Sequence, residues 1–541
     1  MTGEKKKIFS KVFKDPLYDY IKIDNDICDK IIDNKYFQRL RRIEQTSMRC
    51  LYPSARHDRF IHSIGVYHLA KTAIKALKNN EIVDLANDNE KNYNLSNKEW
   101  KNIKFTFEMA ALLHDIGHSP FSHTLESYFS KEYQLNEDGD DINEVRLENI
   151  LFDEASKINS IQKKEVLSKF KDDCNNASAA PHEIMSCIIV FRQFKKILDE
   201  LAEVRKVEVD YLFLARCILG AKYSDETIDN NDYKNCVIKL LNSAIDVDKL
   251  DYIARDSSVS GFANTLVDTK RLLASIILVK YKNAGKVKMC LAFKKTAVGV
   301  IQNAISSRNA LYMWVYSHHK VVYESKLIKD SIRKIADKLA KNTKNIDGNL
   351  FISKYFSVHS IEDNLVCDDT VWNLFTEHKD QIPKINEIIQ RSSQKKALWK
   401  SFAEFQAYFH TKKEAAIGEY SSKKMEDYLS NEKYACCKLK EYMENFNNLG
   451  LEFDVVVNKL KLSHLKPNEI MIYINDKLYP LDSIFAEVSK ESEIPPFFYV
   501  YCNKETKEKL NENNKELKNK FINYIKKFDE FILQPLIDEN R

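Results

Sequence analysis

Glycine and proline are scarce, with 11 and 10 residues respectively in a chain of 541. An all-β protein needs many tight turns, and few residues here can make them, so helix is expected to dominate. Cysteine occurs 11 times, an odd number, and never as a CxxC pair. A disulfide framework or a zinc knuckle is therefore not expected, and the adjacent Cys436 and Cys437 are taken as inert. No apolar run approaches transmembrane length, and Met1 to Lys7 is charged rather than apolar. The expectation is a cytoplasmic protein in a reducing compartment, with no membrane attachment. The formal charge of +5, from 84 basic and 79 acidic residues, is small for this length. Charge alone gives no ground for a nucleic-acid binder.

What is present is an ordinary globular composition, 44% hydrophobic and 30% charged. It is long enough for two to four domains, or for one large helical domain with appendages. Residues from about Lys11 to Asn34 suggest an extended lead-in followed by a helix. Lys35 to Gln45 is expected to be helical with Phe37, Leu40 and Ile43 inward. Arg59 to Leu77 carries an apolar stripe of Ile61, Ile64, Leu69, Ala73 and Leu77. A polar loop, Lys78 to Lys98, precedes a helix from Phe105 to Asp115 that stops near Gly117 and Pro120. Residues 132–178 resemble an insertion with some helix. Helices are expected again at His182 to Lys196, Ser243 to Asp256 and within Thr296 to Asp330. Arg271 to Lys280 and Val287 to Phe293 can pair as strands, and three further β-rich runs are Leu451 to Val457, Glu469 to Ile474 and Phe497 to Cys502. The class expected is mainly α, a helical core with a smaller α+β C-terminal region.

Histidine is concentrated: His57, His62, His68, His114, His118, His123 and His182 make up more than half of the 13. Three segments stand out, RFIHSIGVYHLA (Arg59 to Ala70), ALLHDIGHSPFSH (Ala111 to His123) and IDVDKLDYIARD (Ile245 to Asp256). His62, His114, Asp115 and Asp248 would supply two nitrogens and two oxygens from separate helices. That mixed set suits iron, manganese, zinc or nickel better than a purely oxygen-seeking ion. A divalent metal of that kind activates water and polarises a phosphoryl oxygen. Each piece has a plainer alternative: a His-Asp dipeptide is common, and Asp248, Asp251 and Arg255 can form a solvated helix face. It is the ordered combination that points to a site.

Those motifs, with KVFKDP (Lys11 to Pro16), IIDNKYFQRLRRIEQ (Ile31 to Gln45), RNALYMWVYSHHK (Arg308 to Lys320) and, more thinly, YVYCNKETKEKL (Tyr499 to Leu510), resemble the HD superfamily. Within it they are similar to the deoxynucleoside triphosphate triphosphohydrolases of the sterile-alpha-motif and HD-domain type and their bacterial dGTPase-like relatives. No counterpart of the sterile-alpha-motif domain is seen. The resemblance implies an HD helical core over 35–330 with an insertion at about 132–178. An N-terminal extended, regulatory segment (1–34) and an α+β region for oligomerisation or regulation (331–541) would flank it.

The resemblance implies metal ligands His62, His114, Asp115 and Asp248, with iron, manganese, zinc, nickel or magnesium as the ion and Mg²⁺ on the nucleotide. Water attacks the α-phosphorus, giving a deoxynucleoside and inorganic triphosphate. Arg59 would grip the α-phosphate. His118, His123 and His182 would line it and protonate the leaving oxygen, His123 as acid and His182 with Glu183 as support. Lys249, Tyr252 and Arg308 would bind the β- and γ-phosphates. Tyr316 would pack under the deoxyribose, with Asp256 and Gln45 on the 3′ hydroxyl. Lys11, Val12, Asp33, Gln38 and Arg41 match an activating-nucleotide pocket formed between subunits of a dimer, tetramer or hexamer. The implied role is control of dNTP pools, extending to dNTP depletion in antiviral or anti-phage defence. Single-stranded nucleic acid is a further expected partner, at the Lys-rich C-terminal third. Tyr312 stands where the vertebrate pattern has histidine. The competing functions are a phosphodiesterase or other nucleotide hydrolase on the same site, and a nucleic-acid-binding regulator that kept only the fold.

Overall fold

The computed structural model describes residues 9–80, 82–86, 95–135, 142–158, 164–225, 230–262, 267–283, 285–342, 348–409, 453–458, 467–484, 497–511, 516–517 and 520. The pair Cys436–Cys437 lies outside them. The protein is mainly α with small sheets, as its turn-poor composition implies. Two compact units emerge. One contains residues Met1–Arg308, Ile335–Leu374 and Leu465–Glu491; the other contains Asn309–Lys334, Phe375–His464 and Ser492–Arg541. Where the sequence suggested one linear boundary at 330/331, the chain instead passes back into the first unit after it.

In the first unit, strands Ser10–Asp15 and Asp19–Asp24 form an antiparallel hairpin, with Lys11 opposite Ile23 and Val12 opposite Lys22. A helical stretch through Ile32 follows, so the extended lead-in is a paired ribbon. The segment Lys35 to Gln45 is not one helix. It is α-helical over Lys35–Gln38, 3₁₀ over Arg39–Arg42, and extended at Ile43. The cause lies in Arg39, a buried guanidinium whose Nε donates to the Val366 carbonyl at 2.7 Å and Nη1 to that of Ile116 at 3.0 Å. Those distant acceptors override the local helical preference. Phe37, Leu40 and Ile43 are nevertheless fully buried, as their spacing suggested.

The Arg59–Asn79 helix is buried on nearly every side of its first three turns, and Ile61 is the half-buried member of its apolar stripe. The next helix starts at Asn97, well before Phe105. Ser96 caps it, accepting from the Glu99 N–H while the Glu99 carboxylate accepts from the Ser96 N–H. Such a reciprocal box satisfies two N-terminal N–H groups at once and fixes the helix start. Residues 132–178 contain a hairpin (Lys131–Leu135 with Ile142–Arg146) and two helices (Leu147–Ile158, Lys164–Asn175). The first half of the expected strand Arg271 to Lys280 instead ends a short helix, Thr269–Ala274, capped by Asp268; the strand pair is Ile276–Asn283 and Lys286–Lys294. They form the centre of a five-stranded sheet whose edges are Ile82–Asp84 on one side and Met471–Ile474 with Lys477–Pro480 on the other.

The second unit holds a three-stranded sheet in the order Lys396–Ala397, Phe497–Cys502, Phe453–Asn458. All six residues of its central strand are buried. Tyr499 and Tyr501 donate their hydroxyls to the Ser317 and His319 carbonyls at 3.2 and 2.7 Å. This gives each buried phenol a partner and ties the sheet to the break before the His319–Asn342 helix. No helix of the described residues is long and apolar enough to cross a membrane.

Candidate metal centre and active site

Three helix ends supply the centre. Asp58 caps the Arg59–Asn79 helix, its Oδ1 accepting from the Ile61 N–H at 3.0 Å. Arg59 and His62, three residues apart, therefore share a face of a fixed first turn. The Asn97–Leu113 helix stops at His114, so His114 and Asp115 leave it where neighbouring side chains can reach one point. Asp248 is the second residue of the Val247–Ser260 helix, capped by Asp246, which accepts from the Lys249 N–H at 2.7 Å.

Hydrogen bonding decides which imidazole nitrogen faces the centre. His62 Nδ1–H donates to Asp251 Oδ2 at 2.7 Å, and His114 Nδ1–H donates to the Ala111 carbonyl at 2.9 Å. Both Nε2 atoms are then lone-pair donors. Both are buried without a hydrogen-bond partner. His62 Nε2 lies 2.9 Å from Asp248 Oδ1 and 3.7 Å from Asp115 Oδ2; His114 Nε2 lies 3.5 Å from Asp115 Oδ1 and 3.7 Å from Asp248 Oδ1. The donor atoms of His62, His114 and Asp248 all fall within 4.8 Å of one another. Lone pairs this close, out of water, repel unless a positive charge sits among them. The same demand shows in titration. Burial opposes charge on His62, yet Asp248 and Asp251 lift its pKa to about 9. Burial likewise opposes charge on Asp115, but Arg59 and the two imidazoles hold it well below the usual carboxylate range. The residues present fit a divalent cation with nitrogen and oxygen ligands.

The structure corrects the suggestion of a solvated face at Asp248, Asp251 and Arg255. Asp251 and Arg255 are buried, joined through Nε and Nη2 at 2.8 and 2.9 Å, and Arg255 also meets Asp15 at 3.0 Å. The Tyr18 hydroxyl donates to Asp251 Oδ1 at 2.9 Å. Asp251 thus orients His62 from behind. Gly65 makes room for it: a Cβ there would stand 2.0 Å from Asp251 Oδ1 and 2.4 Å from Arg255 Nη2.

Arg59 is fixed by three contacts. Nη1 donates to Asp115 Oδ2 at 2.8 Å, Nε to Ser122 Oγ at 3.0 Å, and Nη2 to the Gln45 carbonyl at 2.9 Å. Ser122 and its neighbour Phe121 are both left-handed, with φ of 49° and 52°. Asp368 holds this loop, accepting from the Phe121 N–H at 2.7 Å and from the Glu44 N–H at 2.9 Å.

The remaining histidines form a second cluster. His118 stacks on His182 at 4.3 Å between centroids, and His123 stands edge-on to both. Glu126, not the expected Glu183, supports them. It accepts from His123 Nδ1–H at 2.9 Å and from His182 Nδ1–H, whereas Glu183 is engaged by the Ala180 N–H and Asn242. Burial opposes charge on His182, but Glu126 lifts its pKa to about 9. Burial and the Arg59 charge depress His118 well below its ordinary value. Protonation is therefore disfavoured on His118 and favoured on the His182 stacked against it, and His118 Nε2 is 4.0 Å from Asp115 Oδ1.

Asp256 is fully buried and accepts from His57 Nε2–H at 2.7 Å. Gln45, whose N–H donates to the His57 carbonyl at 3.1 Å, has a buried Oε1 without a partner. Lys249 Nζ is held by Asp246 Oδ2 at 2.6 Å, and Lys249 and Arg308 line one small cavity. Tyr252 is half-buried on the same helix as Lys249. Tyr316 belongs to the second unit, in the π-helical turn Tyr312–Tyr316, its ring 5.1 Å from that of Tyr312. At the surface, Lys11 Nζ meets Asp33 at 3.1 Å, Arg41 Nε donates to Gln38 Oε1 at 3.0 Å, and Val12 is exposed.

Residues 59–163 match the HD domain family. A protein of Mycoplasma pneumoniae described as uncharacterized is 24% identical over 389 residues, 69% of this chain and 75% of its own length. The deoxynucleoside triphosphate triphosphohydrolase SAMHD1 of Danio rerio is 27% identical over 331 residues, 57% of this chain and 42% of its own. Most of the curated relatives it matches are covered over only about half their length. Among solved structures, a hypothetical protein of Aquifex aeolicus shares the fold with a TM-score of 0.53 at 19% identity, covering 93% of this chain and 98% of that one. The HD domain, with its histidine–aspartate cluster, supports a metal-dependent phosphohydrolase.

Proposed function

We propose that this phosphohydrolase cleaves deoxynucleoside triphosphates between the α-phosphorus and the 5′ oxygen, releasing a deoxynucleoside and inorganic triphosphate. The observation that carries the reading is the pairing of two adjoining clusters with different tasks. One demands a cation; the other, His118, His123, His182 and Glu126, stores and moves a proton. A bound divalent ion supplies Lewis-acid polarisation of the phosphoryl oxygen and a more acidic water. Arg59, pre-set by Asp115, Ser122 and Gln45, faces charge developing at the α-phosphate without having to reorganise. The Glu126–His182 pair keeps an imidazolium near His123, which can hand a proton to the leaving 5′ oxygen. Lys249 and Arg308 meet the β- and γ-phosphates, with Tyr252 on the same helix face as Asp248. Gln45 and Asp256, the latter oriented by His57, suit the 3′ hydroxyl, and the family resemblance assigns deoxyribose selectivity to Tyr316.

The same reading includes an activating nucleotide at Lys11, Val12, Asp33, Gln38 and Arg41, a homo-oligomer, and a role in controlling dNTP pools. The Lys11–Asp33 and Arg41–Gln38 contacts would be exchanged for the nucleotide on binding. The test is a product analysis with Mn²⁺ or Mg²⁺ over all four dNTPs, each also supplied as second nucleotide. Triphosphate and deoxynucleoside are expected; pyrophosphate with a monophosphate would refute the bond assignment.

A further inference from the structure

A cavity of about 840 Å³ opens away from the metal ligands, between the Asp19–Asp24 strand, the Arg59–Asn79 helix and the Asn97–Leu113 helix. The chain as a whole is nearly balanced in charge, yet Lys22, Lys71, Lys75, Lys78 and Lys101 all line this one space. Among the described residues none of the five forms an ion pair. The sixth lysine there, Lys104, meets Glu108 at 2.7 Å, and Glu108 is the only carboxylate in the wall among the described residues.

Three separate elements therefore deliver to one concavity ammonium groups that have no carboxylate partner among the described residues. Lys71, Lys75 and Lys78 stand at i, i+4 and i+7 on one helix face, so the first two are about 6 Å apart along the axis. Lys101 approaches from the next helix and Lys22 from the strand. Like charges gathered this way raise the local potential and attract a compact polyanion. The volume lies in the range of small-ligand sites. Bases would need faces to stack on. Trp100 is buried and covered by Lys78, whose Nζ is 5.3 Å from its ring, and the exposed Tyr20 carries the Lys14 Nζ 4.2 Å from its ring centroid. The surface selects phosphate charge rather than nucleobases.

We propose that this lysine-lined groove binds a linear polyphosphate of triphosphate length, free or carried on a nucleoside. It adjoins the hairpin that bears Lys11 and Val12 but shares no residue with the activator set or with the metal centre. One wall residue, His68, packs its ring 5.0 Å from that of Tyr18, which donates to the Asp251 that orients His62. Occupancy is thus one aromatic contact away from the support of the metal ligand.

The test is equilibrium binding to the full chain by calorimetry. The probes are inorganic tripolyphosphate, a deoxynucleoside triphosphate, the unphosphorylated deoxynucleoside and an oligothymidylate. A Lys71→Glu/Lys75→Glu/Lys101→Glu variant should lose at least tenfold in tripolyphosphate affinity. A Lys249→Ala/Arg308→Ala variant should retain that binding event, and affinity should fall as salt is raised. Equal affinity for free and nucleoside-carried triphosphate marks the phosphate chain as the whole epitope; tighter binding of the latter adds a nucleoside contact to it. Wild-type affinity in the triple variant overturns the proposal, as does binding of oligothymidylate without tripolyphosphate. If the charge reversals impair folding, the Lys→Gln set at the same positions replaces them, with thermal melts as the control. Because the readout is binding, it stands whether or not the dNTP product analysis succeeds.

Discussion

Glu126→Gln is the sharpest perturbation available, because one carboxylate serves two histidines. It accepts from His123 and His182, and with its charge present the His182 pKa stands at about 9 against an ordinary value of 6.5. Glutamine is nearly isosteric but neutral, so the pKa should fall back to 6.5 or below, burial now being unopposed. At pH 7.5 the imidazolium fraction then drops from about 97% to about 9%, roughly tenfold. If this imidazolium supports protonation of the leaving oxygen, the basic limb of the kcat–pH profile moves acidward from near pH 9 to about pH 6.5 or below. Metal content should not change. Stability moves as well. A histidine whose folded pKa is raised contributes fully below 6.5 and loses that contribution as the pH rises through 9. The shift corresponds to about 3 kcal/mol, so the variant should be most destabilised at pH 6 and approach wild type near pH 10. The assay pairs kcat–pH profiles with denaturant melts at several pH values. An unmoved basic limb in a folded, metal-loaded variant would refute the proton-relay role.

Other outcomes follow from the same geometry. His114→Ala with Asp115→Ala should abolish both bound metal and turnover, read by elemental analysis and product release. Asp251→Asn removes the charge behind His62 and turns one of the two acceptor oxygens shared by His62 and Arg255 into an NH2 donor, loosening the His62 tautomer and leaving Arg255 underpaired. Metal affinity should fall about 10- to 100-fold, measured by competition with a chelating dye. Gly65→Ala drives a methyl into Asp251 and Arg255 and should cost about 1–3 kcal/mol or more, with a matching loss of metal, both visible in melts with and without added ion. Burial raises the Asp368 pKa to about 7 against the pull of its two N–H donors. A raised acid favours the folded state most below its unfolded pKa and loses that advantage as the pH climbs to 7. Wild type should therefore lose up to about 4 kcal/mol relative to Asp368→Asn between pH 4 and 7, and nothing further above it. Paired denaturant titrations across that range test it.

The sequence alone was sufficient for the helical class, for a strand pair within Arg271 to Phe293, though not for its first boundary, and for His62, His114, Asp115 and Asp248 as one candidate cluster. Each rests on pattern visible along the chain: turn-residue scarcity, alternation, or three short motifs that each carry one or two of the ligands. The partners of those ligands had no such signal. Asp251 lies 189 residues from the His62 it orients, Glu126 is 56 from His182, and His57 is 199 from Asp256. Asp368 reaches back 247 residues to Phe121 and 324 to Glu44. In sequence, Asp251 was as plausible on a solvated face, Glu183 as plausible as Glu126, and the lysines of the groove were unremarkable in a lysine-rich chain. Burial separates these alternatives, because a carboxylate out of water must find donors wherever the fold provides them. The ligand types were written locally; their protonation, orientation and support came from contacts that only tertiary packing creates.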